Sequence, residues 1–82
     1  MTVREEAMET LIKKAADIFG VDPAGLGPDT RFEEDLQAKS VNIVQFSAAL
    51  EDVFDVEVPF MEIKKKKTFG EAADYIAGMF GE

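Results

Sequence analysis

The stretch FEEDLQAKSVNIVQFSAALEDVF, residues 32–54, decides the fold of this chain. From Ser40, a residue type favoured where helices begin, apolar side chains recur at steps of three and four residues as far as Phe54. The side chains of this predicted inward face are Val41, Val44, Phe46, Ser47, Leu50, Val53 and Phe54. Val58-Pro59 then disfavours helical angles, so the pattern predicts one helix from Ser40 to about Phe54.

The residues at the beginning of the chain predict a second long helix, from Val3 to Phe19. Thr2 and Glu5 have the spacing of a capping box, and Gly20 is a favoured stop. One apolar stripe follows from the helical spacing of Val3, Ala7, Met8, Leu11, Ile12, Ala15, Ile18 and Phe19. This stripe predicts that the helix faces a core.

The end of the chain predicts a third long helix, from Phe69 to about Phe80. Thr68 and Glu71 have the spacing of another capping box. Gly70 and Gly78 weaken this helix by about 1 kcal/mol each relative to alanine if they are interior. A short helical segment, from Phe60 to about Lys65, is expected before it.

The long connection over residues 20–39 is rich in glycine and proline, which forbid a long helix there. Asp22-Pro23 can start one short helical turn. Three apolar residues predict anchors that pin this loop across the bundle: Leu26, Phe32 and Leu36.

No repeat and no alternating strand pattern is present. We therefore predict a single domain over residues 1–82, an all-α four-helix bundle with three main helices, one short helix and a long first loop.

Composition excludes several kinds of chemistry. The 82 residues include 17 acidic and 9 basic ones, for a net charge of −8, and no cysteine or histidine. The chain therefore has no disulfide, thiolate zinc site, cysteine nucleophile or imidazole base. No apolar run reaches the length of a membrane span, and the N-terminus lacks the apolar stretch of a secretory signal. We expect a monomeric cytoplasmic domain rather than an enzyme.

The distribution of charge argues against a nucleic-acid partner, which requires a basic surface. Residues 40–59 contain four acids and no base. The one basic cluster is Lys64–Lys67. It resembles a weak nucleic-acid or localisation patch, but a solvated helix end, where cations complement the helix dipole, is the interpretation we favour.

Ser40 is the position with chemical potential. A helix N-terminus offers free amide donors and a positive dipole end, both of which suit a phosphate group. The simpler interpretation is an N-cap, a role that serine favours. A nucleophilic Ser40 lacks a histidine to take its proton, and a pairing with Lys39 lacks an oxyanion motif.

The sequence around Ser40 resembles that of acyl carrier proteins. The family signature reads F-x-x-D-L-G-x-D-S-L, and this chain has FEEDLQAKSV over residues 32–41. Further segments in the same order resemble the family's second and last helices: Leu50–Phe54 with Val58-Pro59, and Thr68-Phe69 with Ala72–Ile76. The resemblance covers nearly the whole chain.

The resemblance implies that a phosphopantetheinyl transferase attaches 4′-phosphopantetheine from coenzyme A to Ser40, beside Lys39 and Val41. Acyl groups then travel as thioesters on the terminal thiol and are handed to partner enzymes, such as a ketosynthase-type enzyme or an acyl-ACP synthetase (ACP, acyl carrier protein). It also implies an interior groove that shelters the acyl chain. Candidate lining residues are Phe46, Leu50, Ile63 and Ala72, although ordinary tight packing would place the same residue types there.

Departures from the signature concern the surface that partners would contact. Lys39 replaces the usual aspartate, Gln37 the usual glycine and Val41 the usual leucine, while Asn42 and Gln45 stand where acids are common. Partners that read those acids should bind more weakly, by up to about 1 kcal/mol for an exposed pair. Acidic candidates for partner binding remain farther along the helix at Glu51, Asp52 and Asp55.

These departures predict a specialised carrier. The cargo stays open between fatty acyl, polyketide, aminoacyl or peptidyl, and specialised lipid groups. Lys39 keeps a second interpretation open, an unmodified interaction module of the same shape. In a modified carrier, Lys39 can pair with the attached phosphodiester or be an exposed loop cation, and we favour the exposed cation. A calcium-binding helical protein is not supported, because the EF-hand spacing is absent.

Overall fold

The computed structural model describes all 82 residues, and its helices follow the predicted order. Helix α1 spans Val3–Phe19, α2 spans Ser40–Phe54, α3 spans Phe60–Lys64 and α4 spans Phe69–Met79. The loop between α1 and α2 contains one short 3₁₀ turn, Pro23–Gly25. The predicted all-α class is confirmed, and α3 and α4 each end one residue earlier than expected, because Lys65 and Phe80 already act as their C-caps.

Helix α1 begins with the predicted capping box. Thr2 Oγ1 accepts the Glu5 N–H at 3.1 Å, and Glu5 Oε1 accepts the Thr2 N–H at 2.8 Å. The hydrogen bond from the Thr2 backbone is the main cause that lowers the pKa of the Glu5 carboxyl. This cap therefore acts fully above the ordinary carboxyl pKa and is lost as pH falls through the lowered value.

Helix α4 has only half of its predicted capping box. Thr68 Oγ1 accepts the Glu71 N–H at 3.1 Å, but Glu71 Oε1 accepts the N–H of Lys67, at 3.0 Å, instead of that of Thr68. Thr68 is extended and pairs with Arg31 in an isolated β-bridge, which leaves the Lys67 amide within reach of Glu71. The prediction of a reciprocal box at this helix was wrong for that reason.

The long loop is fastened to the beginning of α4 by three backbone hydrogen bonds. The Phe32 N–H donates to Lys67 O at 3.1 Å, the Phe69 N–H to Thr30 O at 3.0 Å, and the Gly70 N–H to Pro28 O at 2.9 Å. Two of these bonds satisfy amides of the first turn of α4, which have no partner inside the helix. The loop is thus part of the bundle.

The core forms around three phenylalanine rings from the loop and two helices. Phe32 lies 5.2 Å from Phe46 and 4.9 Å from Phe69, measured between ring centroids, and Phe46 lies 5.9 Å from Phe69. Tilted and edge-on pairs at these distances add about 0.5–1.5 kcal/mol each beyond the burial of their area. Phe32 is buried and Leu26 and Leu36 are partly buried against the core, so the predicted loop anchors are confirmed.

Helix α2 turns a narrower face inward than the sequence predicted. Its buried residues follow the spacing i, i+3, i+4 and i+7: Ile43, Phe46, Ser47 and Leu50. Val41 is 63% exposed, and Val44 and Val53 are each 49% exposed. These three valines belong to a neighbouring ridge, because the apolar positions extend around more of the helix than α1 and α3 cover. Their assignment to the core was wrong.

We predict that the two glycines of α4 respond oppositely to alanine. A Cβ at Gly70 would lie 3.0 Å from Pro28 O, whereas a Cβ at Gly78 meets no atom within 4 Å. Gly70→Ala should lower the free energy of unfolding by about 1 kcal/mol, because it crowds the loop backbone. Gly78→Ala should raise it by up to about 1 kcal/mol through helix propensity. Urea denaturation measures both, and equal stability of the two variants would contradict the close approach.

Candidate functional site

Ser40 is the first residue of α2 and does not cap the helix with its side chain. Lys39 occupies the N-cap position with extended backbone angles, φ −103° and ψ 172°. Asn42 Oδ1 accepts the Lys39 N–H at 2.8 Å. Ser40 is exposed, and its hydroxyl makes no hydrogen bond to the protein. The N-cap interpretation of this serine was wrong, and its hydroxyl is available for reaction.

Two backbone amides at this helix end are also available. Neither the Ser40 nor the Val41 N–H donates to an acceptor of the protein, because each precedes the first intrahelical hydrogen bonds. Helix α2 is 15 residues long, so its dipole places partial positive charge at these amides. An anionic group on Ser40 would meet two free donors, which fits the attachment of a phosphate ester.

Residues next to Ser40 expose a cation and an apolar side chain. Lys39 is exposed and forms no ion pair. Val41 is largely exposed. Asn42 Nδ2 donates to Gln45 Oε1 at 3.2 Å, so these two side-chain amides form a neutral pair.

The acids farther along α2 divide into two roles. Glu51 Oε2 accepts the Val58 N–H at 2.8 Å and so fastens the connection that leads to α3. Asp52 is exposed and lies about 18 Å along the helix axis from Ser40, at 1.5 Å per residue. Asp55 is also exposed and ends α2 in the left-handed conformation, with φ 54°. Asp52 and Asp55 thus carry unpaired negative charge, but far from Ser40.

The four candidate groove residues lie together in the core. Phe46, Leu50, Ile63 and Ala72 all have no exposed surface and belong to one cluster. None of them lines the cavity beside Ser40. The helices therefore close the core in this conformation, and an acyl chain would have to separate these side chains to enter. A groove at this place stays a prediction.

A cavity of about 250 Å³ lies beside Ser40, between the long loop and α3. Its apolar part consists of Phe32, Ala38 and Ile43. Six of the nine cationic residues of the chain line it: Arg31, Lys39, Lys64, Lys65, Lys66 and Lys67. Glu33 and Glu34 are the acids of the lining, so its formal charge is +4 in a chain of −8.

The sequence predicted only a solvated helix end at Lys64–Lys67. The structure brings these lysines and Ser40 together, because the hydrogen bond from Phe32 to Lys67 fastens the loop to the segment after α3. No periodicity or spacing in the sequence signals that contact, which joins residues 35 positions apart.

Comparisons with known proteins agree with this geometry. The family described as a phosphopantetheine attachment site matches residues 9–76. An acyl carrier protein of Rubrobacter xylanophilus is 38% identical over 73 residues, which cover 89% of this chain and 90% of the relative. An acyl carrier protein of Lactobacillus acidophilus is 40% identical over 72 residues, and one of Thermosynechococcus vestitus is 38% identical over 73, each covering 90% of the relative. The shares of this chain are 88% and 89%.

A helical bundle with an exposed serine at a helix N-terminus and a phosphopantetheine attachment signature defines a carrier domain. The chain belongs to the acyl carrier protein family. It carries acyl groups on a covalently attached 4′-phosphopantetheine. None of its helices combines the length and the apolar character needed to cross a bilayer.

Gln37, which stands where the signature has glycine, adopts a left-handed backbone conformation. Gln37 has φ 54°, in the left-handed region, and its N–H donates to Glu33 O at 2.9 Å. The neighbouring Ala38 N–H donates to Phe32 O, also at 2.9 Å. A residue with a Cβ adopts this conformation at a cost of roughly 1–2 kcal/mol. Gln37 therefore places strain three residues before Ser40.

We predict that Gln37→Gly stabilises the protein by about 1 kcal/mol, because glycine adopts a positive φ without this steric cost. Gln45→Gly, at an exposed interior position of α2, is the matched control and should lose about 1 kcal/mol. The midpoints of urea denaturation compare both with the parent chain. A loss of stability in Gln37→Gly similar to that in Gln45→Gly would contradict the strain at residue 37.

Proposed function

We propose that Ser40 is the residue that bears the 4′-phosphopantetheine arm. Three observations support this: the hydroxyl is exposed and unbonded, two free amides lie at the same helix end, and cations line the adjacent cavity. The only other serine, Ser47, is 5% exposed, and its Oγ is buried without a hydrogen-bond partner. Ser40 is thus the one serine that an enzyme can reach.

In the proposed reaction, Ser40 Oγ bonds to the phosphorus of coenzyme A that carries the pantetheine, and adenosine 3′,5′-bisphosphate leaves. The hydroxyl proton goes to the transferase or to solvent, because this chain has no histidine to accept it. When bound, the group supplies a thiol that holds acyl groups as thioesters. The residues of this chain present the arm and position it. They supply no catalytic group of their own, so the chain acts as a carrier and not as an enzyme.

The surface around Ser40 supports a specialised partner set. Lys39 and the neutral pair of Asn42 and Gln45 make it less negative than the acidic end of α2 at Asp52 and Asp55. We therefore propose that a dedicated synthase or transferase acts on this chain in fatty acid, polyketide or specialised lipid biosynthesis. A ketosynthase-type enzyme or an acyl-ACP synthetase is the proposed partner. Aminoacyl or peptidyl cargo is the alternative. The cytoplasmic location and the monomeric state remain predictions.

We predict that a broad-specificity phosphopantetheinyl transferase loads this chain with coenzyme A at one site. Intact-protein mass spectrometry should show one added 4′-phosphopantetheine on the parent chain and none on Ser40→Ala. Ser47→Ala, the only other serine variant, is the matched control and should load like the parent. An unmodified parent chain after long incubation with excess enzyme would favour the interaction module, and a loaded Ser40→Ala would place the arm elsewhere.

We also predict that Lys39→Asp increases the initial loading rate by such a general transferase up to about fivefold at low salt. The reason is that a carboxylate restores an attraction of up to about 1 kcal/mol for a basic enzyme surface. Lys13→Asp makes the same charge change at an exposed site on α1 and controls for net charge. Equal rates for the parent chain, Lys39→Asp and Lys13→Asp would show that residue 39 does not influence the transferase.

A further inference from the structure

The cavity beside Ser40 carries a formal charge of +4, whereas attachment of the arm requires only the Ser40 hydroxyl. It gathers six of the nine cations of an acidic chain at one place, and Ser40 lies in its lining. Like charges so close together repel one another, which lowers stability unless an anion is present. The concentration of cations therefore points to an anionic ligand.

Carboxylates of the same chain already neutralise two of these cations. Arg31 Nη1 lies 2.5 Å from Glu34 Oε2, and Lys65 Nζ lies 3.4 Å from Glu62 Oε2. The remaining cations of the cavity pair with no carboxylate: Lys39, Lys64, Lys66 and Lys67. Lys66 Nζ lies 5.2 Å from the centre of the Tyr75 ring, and Lys64 Nζ lies 5.6 Å from that of Phe60. Lys39 and Lys67 have neither an acidic nor an aromatic partner.

We propose that this cavity binds the phosphodiester that joins the arm to Ser40, with Lys39, Lys64 and Lys67 as its cationic contacts and the amides of Ser40 and Val41 as its hydrogen-bond donors. The proposal rests on the proposed function of Ser40. The covalent bond places the phosphate at the cavity, so no separate binding entropy opposes the contact. Phosphate oxygens accept the charge-assisted hydrogen bonds that lysine and helix-end amides donate.

The position of the cavity favours the phosphodiester over other anions. Ser40 Oγ itself borders the space, whereas a carboxylate at the far end of a cargo would have to fold back along the whole arm to reach it. An acidic protein surface would contact the exposed lysines but would not need a recess of about 250 Å³. The consequence is that the first part of the arm leans toward α3 and the loop instead of extending freely into solvent.

The test compares the unloaded and the loaded protein by ¹H–¹⁵N NMR and thermal unfolding. Loading should shift the amide signals of residues 31–34 and 64–67 as well as those next to Ser40, and should raise Tm by about 4 °C at low salt, the size expected for one or two exposed charge pairs. Once it is loaded, the double variant Lys64→Gln/Lys67→Gln should lack the shifts at 64–67 and most of the Tm gain. Lys13→Gln/Lys14→Gln, which removes the same charge from α1, should keep both.

A second arm of the test uses inorganic phosphate and the unloaded protein, so that it does not depend on loading. Phosphate should shift the same cavity signals, and the double variant should weaken this effect at least threefold. If phosphate binds there but Ser40 never loads, the function proposed for Ser40 fails and the cavity stands. If Ser40 loads but only residues 38–43 shift, the cavity proposal is overturned. It is also overturned if a Glu-rich peptide, and neither phosphate nor the arm, shifts the cavity signals.

Discussion

The contact of Phe32 with Phe46 and Phe69 is the interaction on which the rest of the structure depends. Phe32 belongs to the loop, Phe46 to α2 and Phe69 to α4, and their centroids lie 4.9–5.9 Å apart. A long loop without such an anchor would gain little from ordering, because each residue that it orders loses roughly 1–2 kcal/mol of backbone entropy. With Phe32 buried, the loop ends at a defined place, and Ser40 follows eight residues later at the surface.

The same anchor organises charge. Backbone hydrogen bonds on either side of Phe32 and Phe69 join the loop to the segment between α3 and α4, and this brings Arg31 and Lys39 to the lysines that follow α3. The acids of α2 lie at its opposite end, where Asp52 and Asp55 are exposed. The molecule is acidic overall and cationic around Ser40. A partner that approaches Ser40 therefore meets a local excess of positive charge, although the net charge of the chain is −8.

The core is closed at the place where the resemblance implies a groove for an acyl chain. Small residues on α4 allow close helix packing, since Ala72 and Ala73 are fully buried. Ser47 Oγ is buried among apolar side chains without a partner, an arrangement that usually costs about 1–3 kcal/mol. The core is therefore closely packed but not fully satisfied in its hydrogen bonds.

Sequence alone determined the local elements of this protein. Helical spacing, the Thr2–Glu5 capping box, Gly20 and Val58-Pro59 predicted every main helix to within one residue, because these signals act over three or four residues. The motif around residue 40 also pointed to the serine that we propose bears the arm, and the apolar loop residues identified Phe32 as an anchor. Tertiary structure decided which apolar residues are inside: Ile43 is buried and Val41 and Val44 are not, because the orientation of α2 depends on α1 and α3. It alone decided the partner of Glu71 and the cavity that joins Ser40 to Lys64–Lys67. The physical reason is the same for both: they depend on the contact of the loop with the segment before α4, which lies far away in the sequence, and no local periodicity describes that contact.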